Sequence, residues 1–70
     1  MSGRWRLEVR RSNGELWERF PGEAADLRTQ AETMATVQGQ KGWRFDLYEG
    51  GTLKATYKRG TWKEHGEGKA

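Results

Sequence analysis

The strongest constraint on the fold is an Asn13-Gly14 pair that lies between two stretches of alternating apolar and polar residues. In the first stretch, Trp5, Leu7 and Val9 alternate with charged residues, as expected of a half-buried strand. Asn-Gly between two such stretches is typical of a two-residue hairpin turn. The sequence therefore predicts a β-hairpin over the first part of the chain.

The predicted turn sets the register of this hairpin. With two residues in the turn, the opposing pairs are Leu7–Phe20, Glu8–Arg19, Val9–Glu18 and Arg10–Trp17. Glu8 and Arg19 form a favourable pair of opposite charge, and the guanidinium of Arg10 can lie over an indole ring. Val9 fits poorly opposite a glutamate, so we expect a bulge or frayed pairing near the turn.

Residues 23–38 change period and are predicted to form a helix. Its apolar residues recur every three or four positions and share one stripe: Ala24, Leu27, Ala31, Met34 and Val37. Glu23 and Asp26 suit the N-terminus of a helix, and Gly39 is placed to terminate it. Two residues of this stripe are alanines, whose small side chains allow the helix to lie close to a sheet.

A second hairpin is predicted from residues 43–48 and 53–58, which alternate as the first stretch does. A three-residue loop, Glu49-Gly50-Gly51, keeps both faces consistent and places Gly51 in the left-handed conformation that such a loop requires. The opposing pairs are then Leu47–Leu53, Phe45–Ala55, Trp43–Tyr57 and Asp46–Lys54.

Together these elements predict an α+β fold of the ββαββ type, a four-stranded antiparallel sheet of order 2-1-3-4 with one helix packed on one face. Residues 1–60 form the single domain, and residues 61–70 form a polar, flexible C-terminal tail. With 70 residues and no cysteine, the fold depends on packed side chains, helped at most by a second copy. The predicted core comprises Trp5, Leu7, Val9, Phe20, Leu27, Ala31, Met34, Val37, Trp43, Phe45, Leu47, Leu53, Ala55 and Tyr57.

Catalysis is not expected, because the chain offers few residues that are placed to perform it. There is no cysteine, and the only histidine, His65, falls in the predicted tail without neighbours to orient it. Gly50-Gly51 joins two strands, whereas a phosphate-binding loop leads into the N-terminus of a helix. We likewise expect no cofactor, no metal site and no membrane span.

The sheet face away from the helix is predicted to carry most of the basic charge, whereas the helix segment is acidic. The net charge of +3 therefore averages two unlike surfaces. Basic residues set among aromatic ones can contact phosphates and stack on bases, which makes nucleic acid the favoured partner. The candidate binding residues are Arg4, Arg6, Arg10, Trp17, Arg19, Arg44, Tyr48, Lys54 and Lys58.

Two alternatives account for the same residues. An uncovered sheet face is normally polar, so arginines and lysines paired with Glu8 and Asp46 can serve only to keep it hydrated. Arginine, tryptophan and tyrosine are also enriched at the hot spots of protein interfaces. On that interpretation the chain is a protein-binding module, either a homodimer or an adaptor or inhibitor of a larger protein.

The order of elements, with Asn13-Gly14 and Gly50-Gly51 at the hairpin tips and an alanine-rich helix between them, resembles small uncharacterised ββαββ proteins of bacteria and their phages. The bias toward arginine, tryptophan and glycine is similar to that of accessory proteins of phages that infect actinobacteria. This resemblance implies a non-catalytic accessory protein. Because no apolar secretory segment follows Met1, we expect a cytoplasmic location, in the host cytoplasm if a phage encodes the chain.

Overall fold

The computed structural model describes residues 4–37, 40 and 42–65. These residues form five strands in one antiparallel sheet of order β2-β1-β3-β4-β5, together with one helix. The α+β class and the order of the first four strands are confirmed, but the predicted number of strands, four, is wrong. The elements are β1 (Trp5–Arg10), β2 (Leu16–Gly22), α1 (Ala24–Ala35), β3 (Arg44–Glu49), β4 (Thr52–Lys58) and β5 (Thr61–Glu64).

The additional strand, β5, lies in the segment predicted as a tail. A two-residue turn of Arg59 and Gly60 joins it to β4, with φ values of 54° and 81°. Positive φ at both central residues is typical of a type I′ hairpin turn, which usually begins with asparagine, aspartate or glycine. An arginine in the first position hides this turn from sequence analysis. Thr61–Glu64 thus belong to the sheet, and residues 66–70 lie outside the described residues.

The loop of the first hairpin is one residue longer than predicted. Gly14 N donates to Arg11 O at 2.8 Å, and Arg11 N donates to Glu15 O at 2.9 Å, so three residues form the loop. Gly14 adopts φ +92°, the left-handed position of such a loop. The Asn13 side chain accepts a hydrogen bond from Glu15 N at 2.9 Å, which explains its place in the turn.

A β-bulge at Trp17 compensates for the longer loop. The register shifts between Val9 and Arg10, so Arg10 lies opposite Leu16 and the predicted Arg10–Trp17 pair is wrong. Beyond the bulge the two shifts cancel, and the predicted pairs Leu7–Phe20, Glu8–Arg19 and Val9–Glu18 are confirmed. The predicted irregularity near the turn is therefore present.

In the second hairpin the loop is one residue shorter than predicted, and it too is followed by a bulge. Gly50-Gly51 form a two-residue turn, with Glu49 opposite Thr52 and Gly50 at φ +61°. A bulge at Lys54 then shifts the register, so the predicted three-residue loop and its pairs are wrong. The observed pairs are Tyr48–Leu53, Leu47–Ala55, Asp46–Thr56, Phe45–Tyr57 and Arg44–Lys58. A regular two-residue hairpin would pair core-side residues of β3 with outward-facing residues of β4. The bulge avoids this mismatch and keeps Leu47 on the core side.

Helix α1 ends earlier than the apolar stripe suggests. It closes after Ala35, where Thr36 N donates to Thr33 O at 3.2 Å. Val37 therefore follows the helix and is 49% exposed, so its predicted place in the core is wrong. Leu27 and Ala31 are the buried residues of the helix, as predicted. The predicted terminator, Gly39, lies outside the described residues.

The hydrophobic core lies between α1 and one face of the sheet. Its buried members are Leu7, Val9, Leu27, Ala31, Phe45, Leu47 and Ala55, and all were predicted. Partly buried residues pack around them: Trp5, Phe20, Met34, Ala35, Trp43, Tyr57 and Trp62. Leu53 is not among them, because the bulge at Lys54 places it opposite Tyr48 on the other side of the sheet. The core thus leaves one sheet face without a covering element in the described part of the chain.

Candidate functional site

The sheet face away from α1, here called the open face, is built from alternate positions on all five strands. Cross-strand pairing brings Glu8 to the centre of this face, between Arg19 on β2 and Asp46 on β3. Asp46 in turn lies opposite Thr56 on β4. The charged residues that the pairing places on the open face are Arg6, Glu8, Arg10, Arg19, Arg44, Asp46, Lys58 and Lys63.

The centre of the open face contains two buried carboxylates. Glu8 and Asp46 are directly opposite each other on β1 and β3, and their exposed fractions are only 5% and 3%. Like charges opposite each other destabilise a sheet, and burial of a carboxylate is costly unless it is paired. The two residues therefore require compensating groups nearby.

Three arginines compensate Glu8. Arg6 Nε donates to Glu8 Oε2 at 2.9 Å, and Arg19 Nε donates to the same oxygen at 3.3 Å. Arg10 Nη2 donates to the other oxygen, Oε1, at 3.4 Å. The predicted Glu8–Arg19 pair is confirmed, but it is one of three contacts rather than an isolated cross-strand pair.

Asp46 is compensated from both neighbouring strands and from its own. Thr56 Oγ1 donates to Asp46 Oδ1 at 3.2 Å, and Arg10 Nε lies 3.5 Å from Oδ2. Arg44 Nε lies 3.2 Å from Oδ1, but it is buried and not aligned for a hydrogen bond. We call these residues the arginine–carboxylate cluster: Arg6, Glu8, Arg10, Arg19, Arg44 and Asp46.

Within the cluster, the acidic side chains are less exposed to solvent than the basic ones. The carboxylates lie underneath, whereas the arginine side chains are partly exposed, from 27% for Arg10 to 61% for Arg19. Each guanidinium has five N–H donors, and among the described residues Arg19 uses only its Nε in the cluster. The open face therefore presents positive charge and unused donors to solvent, with the negative charge below them.

Tyr48, predicted as an aromatic contact, lies on the open face beside Arg6. The guanidinium of Arg6 lies over its ring, with the carbon 4.6 Å from the ring centroid. Arg6 Nη1 also donates to Gly50 O at 3.2 Å. The ring of Tyr48 is therefore partly covered by a side chain that two further contacts hold in place.

Trp17, the other predicted aromatic contact, has a different neighbour. Its ring centroid lies 5.4 Å from that of Trp43, with the planes at 62°. Trp43 packs against the hydrophobic core, and the guanidinium of Arg11 lies 5.9 Å from its centroid. The bulge that breaks the pairing with Arg10 thus gives Trp17 a partner outside the arginine–carboxylate cluster.

The remaining candidate residues, Arg4, Lys54 and Lys58, are not members of the cluster. Lys54 Nζ is 3.8 Å from Glu49 Oε1, so its predicted pairing with Asp46 is wrong. Lys58 is exposed and lies opposite Arg44, which extends the basic surface along β4. Arg4 is exposed immediately before β1.

The sequence does not reveal a hydrogen-bond chain that ends at His65. Its Nε2 lies 3.0 Å from Thr56 Oγ1, and the Thr56 hydroxyl donates to Asp46. Because a hydroxyl has one hydrogen, His65 must be the donor, which places a proton on Nε2. His65 N also donates to Lys54 O at 2.7 Å. Recognition of the Arg59-Gly60 turn would have shown that this histidine follows a strand.

The residues of this hydrogen-bond chain are not in the order of a nucleophilic triad. In such triads the histidine lies between the hydroxyl and the carboxylate, so that the carboxylate orients the imidazole. Here Thr56 lies between Asp46 and His65. The chain instead connects the end of β5 to the arginine–carboxylate cluster.

On the opposite side of the sheet, polar contacts join α1 to β5. Arg28 Nη1 and Nη2 donate to the two Glu64 oxygens at 2.9 Å each. The Arg28 guanidinium lies 4.6 Å from the Trp62 ring centroid, and Trp62 Nε1 donates to Glu32 at 2.8 Å. The Arg28 hydrogen bonds hold the pKa of Glu64 below its usual value, and Glu64 likewise raises the pKa of Arg28.

A depression of about 520 Å³ lies on the helix side, between the end of α1 and the β4–β5 turn. It is lined by Ala35, Thr36, Tyr57, Arg59 and Gly60, and it is separate from the arginine–carboxylate cluster. Over residues 4–37, 40 and 42–65, no group of histidine, cysteine, aspartate or glutamate side chains could hold a metal ion. In the same residues, no helix is long and apolar enough to cross a membrane.

Comparisons of the chain with protein-family models, with curated proteins and with solved structures find no significant match. The resemblance to small ββαββ proteins of bacteria and phages therefore remains an expectation from layout and composition.

Proposed function

We propose that this protein is a non-catalytic binding protein whose open face contacts nucleic acid. The observation that supports the proposal is the arrangement of four arginines over two buried carboxylates, Glu8 and Asp46. The carboxylates fix the guanidinium groups but are themselves shielded from a ligand. A polyanion that approaches the open face meets cations first.

Fixed guanidinium groups are suited to phosphate. Arginine binds phosphate oxygens through charge-assisted and often bidentate hydrogen bonds. The contacts to Glu8 and Asp46 reduce the side-chain entropy that binding would otherwise cost. Arg19 supports this role most directly, because it is the most exposed arginine of the cluster and uses one of its five donors there.

The distribution of charge on the rest of the molecule favours the same orientation. The exposed residues Glu23, Asp26 and Glu32 lie on or next to α1, on the side of the sheet opposite the cluster. A polyanion is therefore attracted to the open face and repelled by the helix, which steers the encounter.

A salt titration with a fluorescent DNA probe tests this proposal. We expect binding at low salt, weakening steeply as salt rises, because phosphate contacts release counterions. Arg19→Gln should reduce the slope of log K against log[salt] by about 1. Arg59→Gln removes the same charge from the turn beside the depression and serves as the matched control. No binding at tens of micromolar protein in about 50 mM salt would overturn the proposal.

A protein partner is the second candidate, and the exposure of Trp17 supports it. Trp17 is 40% exposed, and its ring centroid lies 5.4 Å from that of Trp43. The two rings form an aromatic surface beside the first hairpin loop. Tryptophan is enriched among residues that dominate interface energies. Solution mass tests for a homodimer, and pull-down after nuclease treatment tests for an adaptor or inhibitor. Partners that survive nuclease and are lost in Trp17→Ala would favour this candidate.

A further inference from the structure

The open face presents arginine side chains to a ligand, but one of these arginines covers the aromatic ring of Tyr48. Tyr48 carries the Arg6 guanidinium over its ring at 4.6 Å, and Arg6 is held by Glu8 at 2.9 Å and by Gly50 O at 3.2 Å. On β4, which pairs with the other edge of β3, the residue opposite Tyr48 is Leu53. For a base to stack on Tyr48, Arg6 would have to give up this set of contacts.

Trp17 does not replace Tyr48 as a stacking surface on this face. It is 40% exposed, but its edge-to-face contact is with Trp43, which packs against the core on the helix side of the sheet. Of the two aromatic side chains predicted to stack on bases, Tyr48 is thus covered by Arg6, and Trp17 lies beside Trp43, outside the arginine–carboxylate cluster.

Single strands and duplexes make different demands on a protein surface. Sequence-tolerant binding of single strands relies on aromatic side chains against which the bases stack, in addition to a basic groove. A duplex keeps its bases stacked inside and presents phosphates, which arginines can contact without any aromatic ring. The open face meets the second demand and not the first.

The arginines also converge on one part of the open face. Arg6 Nε and Arg10 Nη2 both donate to the carboxylate of Glu8, at 2.9 Å and 3.4 Å, although the two residues are four positions apart on β1. Such a compact group of cations suits a duplex, because two strands supply phosphates at about twice the charge density of one.

We propose, on the basis of the proposed function, that the open face binds a nucleic-acid duplex through its phosphates, without base stacking and without sequence preference. Arg10 and Arg44 contact the phosphates from the centre of the sheet, and Arg6 and Arg19 contact them from its flanks. Tyr48 positions Arg6 and does not touch bases.

The test compares a labelled duplex of about 20 base pairs with a single-stranded oligothymidine of the same length at one salt concentration. We expect the duplex to bind at least about fivefold more tightly, and two unrelated duplex sequences to bind within about twofold of each other. Equal or tighter binding of the single strand, or strong sequence preference, overturns this inference but leaves the proposed function in place. Failure of both probes to bind in low salt overturns the proposed function itself.

Two variants distinguish the roles of the side chains. Arg44→Gln removes a guanidinium from the centre of the open face and should weaken duplex binding by about three- to tenfold. Trp17→Leu should leave duplex affinity within about twofold, because the ring does not contact bases. A large loss in Trp17→Leu, or quenching of tryptophan fluorescence by oligothymidine, contradicts the inference. Circular dichroism and urea unfolding confirm that each variant is folded.

Discussion

Glu8 and Asp46 lie directly opposite each other on the neighbouring strands β1 and β3, with both carboxylates buried beneath arginine side chains. Two like charges in this position would destabilise the pairing of the strands if they were alone. Arg10 contacts both, with Nη2 3.4 Å from Glu8 and Nε 3.5 Å from Asp46. The centre of the open face is therefore a structural element as well as a candidate binding surface.

The first prediction concerns the energetic role of Glu8. Glu8→Gln leaves Arg6, Arg10 and Arg19 without their shared carboxylate, so the free energy of unfolding should fall by roughly 1–3 kcal/mol. This range is below that for fully buried pairs because the arginines are partly exposed to solvent. Urea unfolding measures the change. Glu18→Gln, on the exposed part of β2, is the matched control and should change stability by less than about 0.5 kcal/mol. Equal losses in both variants would contradict the prediction.

The second prediction distinguishes the two possible loops of the second hairpin. Gly50 has φ +61° and Gly51 does not have positive φ, so only Gly50 needs the conformational freedom of glycine. Gly50→Ala should destabilise the protein by about 1 kcal/mol, whereas Gly51→Ala should be neutral or slightly stabilising. Neither added methyl group meets another atom within 4 Å, so the difference reflects backbone conformation alone. Thermal unfolding of the two variants gives the answer, and the reverse order would support the three-residue loop.

The third prediction concerns β5. Trp62 is partly buried, with its ring centroid 4.9 Å from that of Tyr57 and its Nε1 bonded to Glu32. Trp62→Ala should lower the free energy of unfolding by about 2–3 kcal/mol, at the lower end for large core residues because the ring is only partly buried. Lys63→Ala, the exposed neighbour on the same strand, should be nearly neutral. If this segment were the polar tail that its composition suggests, both substitutions would be neutral.

The fourth prediction concerns the pH dependence of the Arg28–Glu64 pair. Arg28 lowers the pKa of Glu64 below its ordinary value of 4.5, so the folded protein binds a proton here less readily than the unfolded chain. The stabilisation is therefore complete above pH 4.5 and is lost as pH falls through the lowered pKa. It should amount to less than about 1 kcal/mol, because both groups are substantially exposed.

A double-mutant cycle with Arg28→Met and Glu64→Gln measures this pair by urea unfolding. The coupling energy should be present at neutral pH and should shrink in acid once Glu64 is protonated. A coupling energy that stays constant with pH would contradict the prediction, because a charge pair must weaken once Glu64 is protonated. The cycle does not include the packing of Arg28 on Trp62, at 4.6 Å, because both Arg28→Met variants lose it.

The open face shows how far sequence reasoning reaches. Alternation correctly places Arg6, Glu8, Arg10 and Arg44 on one side, because side chains of a strand point alternately to its two faces. Alternation cannot show that Glu8 has three arginine partners, since Arg19 comes from another strand and Arg6 and Arg10 are two residues away on the same one. Which of several nearby cations pairs with a carboxylate depends on rotamers and on burial.

Hydrophobic periodicity assigns residues to faces, so the sequence was sufficient to predict the α+β class, the order of the first four strands and every buried member of the hydrophobic core. The two loop lengths, the bulges at Trp17 and Lys54, and the pairing of β5 with β4 become apparent only in the folded structure. In the first hairpin the longer loop and its bulge cancel, so the pairs at the core keep the predicted register. In the second hairpin the shorter turn and its bulge shift the pairing by two residues but leave Ala55 and Tyr57 on the core side. Local sequence cannot distinguish these combinations, because each keeps most of the apolar residues facing the core. Packing of the whole sheet against α1 selects one of them, and that choice also decides that Asp46 faces Thr56 rather than Lys54.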